Sequence, residues 1–313
     1  MNLIETLGMM FTSPLMQRAL IVAVLVGLAT PVMGTYLVQR RLALLGDGIG
    51  HVALTGVALG WLVGAASGLS PVDSLAVPGA VVASIAGALL IEFVRARGRT
   101  GGDVALAMLF YGGIAGGVLL ISLAGGTTTA LNGYLFGSIS TVTTADVWLT
   151  VVLAALLLGV GLGLRPALFA LCHDEEFARA SGLPVGLLNV LVSVLAALTV
   201  SVAMRVVGVL LVSAVMIVPV AAAQLLTRSF RATMHLAMGI GVLVSVSGLV
   251  ITYVVDLSPG AMIVVLALAC YALAAPVSVL LRRHRTGHAR HDPHPEHGDD
   301  VLVEVQVAKE EVL

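Results

Sequence analysis

Charged residues are scarce in this chain: Asp, Glu, Lys and Arg make up 11% of its 313 residues, where an average soluble domain carries about a quarter. Lysine is almost missing, with Lys309 alone, so nearly all positive charge sits on arginine. So few charges cannot coat a water-facing surface, which excludes an ordinary soluble enzyme and a disordered regulator. A net charge of −1 leaves no basic footprint and excludes a nucleic-acid binder. Two cysteines, Cys172 and Cys270, cannot form a disulfide framework. There is no Gly-x-x-x-x-Gly-Lys phosphate loop, no Gly-x-Ser-x-Gly elbow and no His-Glu-x-x-His pair. If the chain moves something uphill with ATP, another subunit must hydrolyse it. The first ten residues carry Glu5 and no basic residue, so the first hydrophobic span is expected to insert uncleaved.

What is present is apolar. Hydrophobic residues make up 59%, mean hydropathy is +1.08, and the 35 glycines suit closely packed membrane helices. The composition predicts an all-α polytopic membrane protein embedded in a lipid bilayer. Runs of roughly 20 apolar residues occur near 15–38, 42–66, 75–94, 103–124, 147–164, 186–204, 206–226, 233–255 and 259–281. Only Met204, Arg205 and Val206 separate the sixth from the seventh, so nine spans are expected and eight remain possible.

Arginines orient the spans. Arg40 and Arg41 follow the first, Arg95, Arg97 and Arg99 the third, and Arg165 and Arg179 the fifth. Arg228 and Arg231 follow the seventh, and Arg282, Arg283 and Arg285 the ninth. The positive-inside rule puts these loops and the C-terminus in the cytoplasm and the N-terminus outside. Residues 1–281 then form the transmembrane domain. Residues 282–313, with His284, His288, His291, His294 and His297 among prolines and charges, read as a disordered cytoplasmic tail that could bind metal. Within 125–146, the apolar stretch Tyr134–Gly137 reads as a re-entrant or interfacial piece. Residues 166–185 read as a short capped helix, with Asp174, Glu175 and Glu176 at its positive end and Gly182 then Pro184 as its stop.

Asp47 and His51 are the most informative residues. An ionisable group inside a membrane helix costs at least about 2.5–3.5 kcal/mol, so it is a functional candidate by default. Four apart, the two side chains share a face, and Thr55 continues the row. A carboxylate and an imidazole one turn apart make half of a divalent-metal site. The structural alternative is a helix-end aspartate beside a satisfied core histidine. Gly56, Gly60 and Gly64 strip the opposite face for helix packing, and Gly112, Gly113, Gly116 and Gly117 read as packing too.

The stretch Arg40-Arg41-Leu-Ala-Leu-Leu-Gly-Asp-Gly-Ile-Gly-His51-Val-Ala-Leu-Thr-Gly56 resembles the signature of the zinc/manganese class of bacterial ABC-importer permeases. The resemblance continues through Leu131–Ser138, Asp174–Pro184, Val207–Pro219 and Asp256–Gly260, and so covers about residues 15–281. It implies a homodimeric permease with a bundle of the vitamin-B12-importer type in the bacterial cytoplasmic membrane. Two cytoplasmic ATPase subunits would dock below it and an extracytoplasmic metal-binding lipoprotein above. By resemblance, Asp47 and His51 line the metal path. Residues 173–184 form the coupling helix, with Asp174, Glu175, Glu176, Arg179 and Gly182 shaping it and Phe177 as its apolar anchor. Zinc is expected over manganese or iron, because imidazole with carboxylate suits zinc and manganese prefers oxygen-rich shells. No permanently bound cofactor is implied. A proton-coupled metal carrier would also use an intramembrane Asp and His but would not need the Asp-Glu-Glu-Phe loop. A cobalamin or siderophore permease could share the fold without needing the pair.

Overall fold

The computed structural model describes residues 12–69, 72–97, 102–125, 128–138, 142–255 and 257–289. These residues form helices and no strand. In chain order they are α1 (Pro14–Gln39), α2 (Ala43–Ala66), a 3-10 turn (Val72–Leu75), α3 (Ala76–Arg97), α4 (Gly102–Leu123), the short α5 (Thr128–Phe136), α6 (Thr144–Gly163) and α7 (Arg165–His173). There follow α8 (Glu175–Ala180), α9 (Val185–Val207), α10 (Val212–Leu226), α11 (Phe230–Val254) and α12 (Pro259–Ala289). Eight are long and apolar enough to cross a bilayer, which makes this a multi-pass membrane protein. The chain divides into two units, Met1–Ala274 and Ala275–Leu313. In the second unit α12 runs on through Ala289, so the backbone at His284 and His288 is helical rather than the expected irregular tail. His291, His294, His297 and Asp256 lie outside the described residues.

The count of spans differs from the favoured nine. The expected seventh span, 206–226, is interrupted: α9 ends at Val207, residues 208–211 leave the helix, and α10 has 15 residues. At 1.5 Å per residue it is about 22 Å long, short of the roughly 30 Å hydrocarbon core. A hydropathy sum counts apolar residues and cannot register a change of backbone direction. That change occurs at Gly208, whose φ is +87°.

Helix α2 is packed on two sides by the glycine faces read from the sequence. Gly56 and Gly60 lie against the backbone of Gly79 and Leu75, where any Cβ would collide with α3 or the turn before it. On another side Gly113 and Gly117 of α4 bring that helix onto the backbone of His51 and onto Leu54. Likewise α1 and α11 meet at Gly27 and Gly241. Without a hydrophobic driving force between helices in lipid, such close approach supplies the dispersion contacts that hold a bundle.

The re-entrant reading of 125–146 has a structural counterpart. Helix α5 ends at Phe136, and its last residues pair with the break in the next segment: Val209 and Leu210 donate their N–H groups to the carbonyls of Tyr134 and Leu135, at 2.9 and 3.2 Å. Ser258, just before α12, donates its hydroxyl to Phe136 O at 2.9 Å. Three backbones therefore cross, and Gly137, Gly208 and Gly260 sit where they touch. Irregular backbone inside an apolar bundle must satisfy its polar groups internally, and this crossing does so.

Gly182 also has a positive φ, +80°, but opens onto empty space. Gly182→Ala should cost only the left-handed penalty of about 1–2 kcal/mol. Gly208→Ala adds a collision with the Leu135–Gly137 backbone and should lose roughly 1–3 kcal/mol more. Thermal melts of the detergent-solubilised protein followed by size exclusion check this ranking. Equal losses would mean that the crossing tolerates a side chain.

Candidate functional site

Asp47 and His51 lie on the first three turns of α2, one turn apart, as the spacing requires. His51 is buried, with 3% exposure, while the Asp47 side chain retains 29%. Nε2 of His51 stands 3.9 Å from Oδ1 of Asp47, too far for a hydrogen bond. Nδ1 is buried and has no hydrogen-bond partner. The imidazole packs instead against Phe110 of α4, with ring centroids 4.1 Å apart in an edge-on arrangement. An aromatic wall thus fixes the plane of the ring without using either nitrogen. Two ligands on a tetrahedral ion with ~2.1 Å bonds are roughly 3.4 Å apart. The observed pair is slightly wider, within reach of a small side-chain rotation.

Thr55 stands on the same face, but its hydroxyl is committed to Gly113 O on α4 at 2.8 Å. In this arrangement it ties two helices together and offers no free donor proton toward Asp47 and His51. Ser213, in the first turn of α10, donates to Asp47 Oδ1 at 3.1 Å. Sequence reading passed over Ser213 and Phe110. Neither carries a local signal: Ser213 is one hydroxyl in an apolar run, and Phe110 one aromatic ring in an apolar helix. Among the described residues no three His, Cys, Asp or Glu side chains come together, so one copy of the chain offers two metal-ligating groups of that kind here.

At the end of the bundle that carries Arg40, Arg95, Arg165 and Arg228, residues 165–184 form two helices rather than one. Asp174 separates them, with its backbone extended and its carboxylate accepting from Phe177 N at 2.9 Å. Helix α8 therefore begins with Glu175 and Glu176 at its positive end, and the chain leaves it at Gly182 as expected. Asp174, Glu175, Glu176 and Arg179 are exposed, and Phe177 is exposed at 64% despite its apolar ring. Glu175 faces Arg40 at 3.8 Å and Arg179 at 3.2 Å. The first of these pairs connects α8 to the turn leading into α2. A cavity of ≈ 800 Å³ beside it is lined by Arg40, Glu92, Arg95, Glu175, Arg179 and Asn189, among others. Glu92 accepts from the Ser193 hydroxyl of α9 at 3.3 Å.

A family model described as ABC 3 transport family matches residues 12–278. The chain belongs to this family. It is 34% identical, over 276 residues, to the manganese transport system membrane protein MntC of Halalkalibacterium halodurans, covering 87% of this chain and 91% of that one. Its identity to the manganese import system permease protein ScaB of Streptococcus parasanguinis is 30% over 277 residues, covering 88% and 95%. Among solved structures it is similar to PsaBC from Streptococcus pneumoniae in complex with Fab, with TM-score 0.77 and 30% identity, covering 87% and 95%. The two curated names carry manganese, where the sequence favoured zinc. An Asp/His pair is compatible with both ions, so residue types alone could not decide between them.

Helix α7 is held against α1 through Cys172, whose Sγ lies 3.8 Å from Tyr36 O. Burial pushes this thiol up to about 11. At pH 8 its thiolate fraction is then about one in a thousand. In a Cys270→Ser background, maleimide labelling followed by intact-mass measurement should be negligible at pH 7–8 and rise only as pH approaches that value. Rapid stoichiometric labelling at pH 7 would contradict the packing of α7.

Proposed function

We propose that this chain is the permease subunit of an ATP-driven importer of manganese. Supporting this reading are the family match over 12–278 and curated relatives named for manganese import. The observation that carries it is the Asp47–His51 pair: a partly accessible carboxylate beside a buried imidazole with an unpartnered nitrogen, inside an apolar bundle. With two ligating groups per copy, two copies in a homodimer would bring two carboxylates and two imidazoles to a shared path. A site short of full coordination suits transport, because a closed cage would hold the ion too tightly for turnover.

On this reading the arginine end faces the cytoplasm of a bacterium, following the positive-inside rule. The exposed Phe177 on α8, ringed by Glu175, Glu176 and Arg179, is the surface an ATPase subunit would grip. A metal-binding lipoprotein would deliver the ion from the opposite side. The Arg40–Glu175 pair would carry motion of α8 to the turn before α2, seven residues from Asp47.

Asp47→Ala should abolish uptake of radioactive manganese by cells carrying the variant at matched membrane abundance. His51→Ala leaves the carboxylate and should reduce manganese uptake strongly while sparing membrane abundance. Near-normal uptake by both would make the pair structural. Phe177→Ala should leave the variant in the membrane but lower transport-coupled ATP hydrolysis of the purified complex severalfold. Unchanged coupling would remove α8 from that role. Parallel uptake of radioactive zinc settles the ion: zinc transported in preference to manganese would overturn the choice of metal alone.

A further inference from the structure

We infer that Ser213 is a positioning residue that holds the Asp47 carboxylate ready for the incoming ion. This inference rests on the metal-path reading of Asp47 and His51.

Asp47 projects from α2, a helix of the apolar bundle, with its side chain 29% exposed; a carboxylate there needs a donor. His51 does not supply it at 3.9 Å. The donor comes from a helix 166 residues away, through the Ser213 hydroxyl at 3.1 Å. Among the described residues, Ser213 is the one protein donor to Asp47. One oxygen is thereby fixed, and the second is left for a ligand.

Three features of α10 place the hydroxyl there. The break at 208–211 makes α10 start beside α2, with Val209 O close to Gly50 and Ser213 Cβ close to Gly46. Met216, one turn further on, lays its methyl in the notch left by the missing side chain of Gly46, and its backbone lies against Gly34 of α1. That double contact sets the rotation of α10 about its axis, and Ser213 consequently faces Asp47. Finally, Ser213 stands in the first turn of α10, where the unpaired backbone N–H groups give the helix a positive end. The same broken-helix arrangement elsewhere places helix termini at ions in transporters.

A hydrogen bond to a charged group is among the stronger ones in a protein, but water recovers part of it when the donor is removed. Ser213→Ala should therefore weaken manganese binding to the purified permease–ATPase complex about tenfold. Binding is read as the loss of the free-ion signal in electron paramagnetic resonance. Size exclusion of the variant complex should show both subunits eluting together at the wild-type ratio, showing an assembled complex. Ser213→Thr keeps the hydroxyl and should bind within about threefold of wild type. The inference is overturned by a wild-type dissociation constant in Ser213→Ala, or by Ser213→Thr binding as poorly as Ser213→Ala, which would make the position one of packing. Asp47→Ala separates the two levels. If that variant binds manganese normally, the metal-path reading fails; if it loses binding while Ser213→Ala does not, only the positioning role fails.

Discussion

A carboxylate and an imidazole inside a hydrocarbon-embedded bundle must be kept from collapsing onto each other or onto the backbone. Every unsatisfied polar group there costs several kcal/mol, and a pair that satisfied itself completely would have nothing left for a ligand. In this protein the pair is held apart at 3.9 Å. The ring rests on Phe110 rather than on a hydrogen-bond acceptor, and the carboxylate takes one donor from a different helix. The neighbouring helices are arranged around that tension.

The wall of α4 reaches the site because Gly113 and Gly117 have no side chains to hold it off. Helix α3 closes the other side of α2 through Gly56, Gly60 and Gly79. Opposite them, α10 begins part-way along α2 because the chain breaks at Gly208, and the polar groups freed by that break are absorbed by the end of α5. The crossing of α5, the break and the start of α12 is therefore the structural counterpart of the site: it lets a helix begin inside an apolar bundle. At the arginine end, Asp174 and Gly182 bound α8 and leave Phe177 exposed, and Arg40–Glu175 joins α8 to the turn before α2. The proposed transport cycle would use that short connection between an ATP-driven movement and the residues that meet the ion.

Much of this was legible in the residues. The Asp47–His51 spacing, the glycine stripe of α2, the small-residue face of α4 and the boundaries of α8 all follow from helical period and capping chemistry, which are local. The interrupted seventh span was not legible, because Gly208 stands in an unbroken apolar run and its positive φ is imposed by a crossing with segments 70 residues upstream and 50 downstream. Ser213 was hidden for the same reason: a hydroxyl in a membrane helix usually bonds its own backbone, as Thr199 and Ser201 do here. Only tertiary packing turned this one toward Asp47. Thr55 shows the converse, a residue on the right face whose hydroxyl is taken by a neighbouring carbonyl. The ion was not legible either, because an Asp/His pair fits zinc and manganese alike; the curated relatives named for manganese favour the second over the expected zinc.

On the proposed function, manganese meets Asp47 and His51 on its way through the bundle. Pulsed electron paramagnetic resonance of manganese bound to the purified permease–ATPase complex, held without hydrolysis, addresses it directly. Coordination by His51 predicts nitrogen modulation from a bound imidazole in the wild-type protein and its disappearance in His51→Ala. Bound manganese whose nitrogen coupling persists unchanged in His51→Ala would place the ion elsewhere and contradict the account.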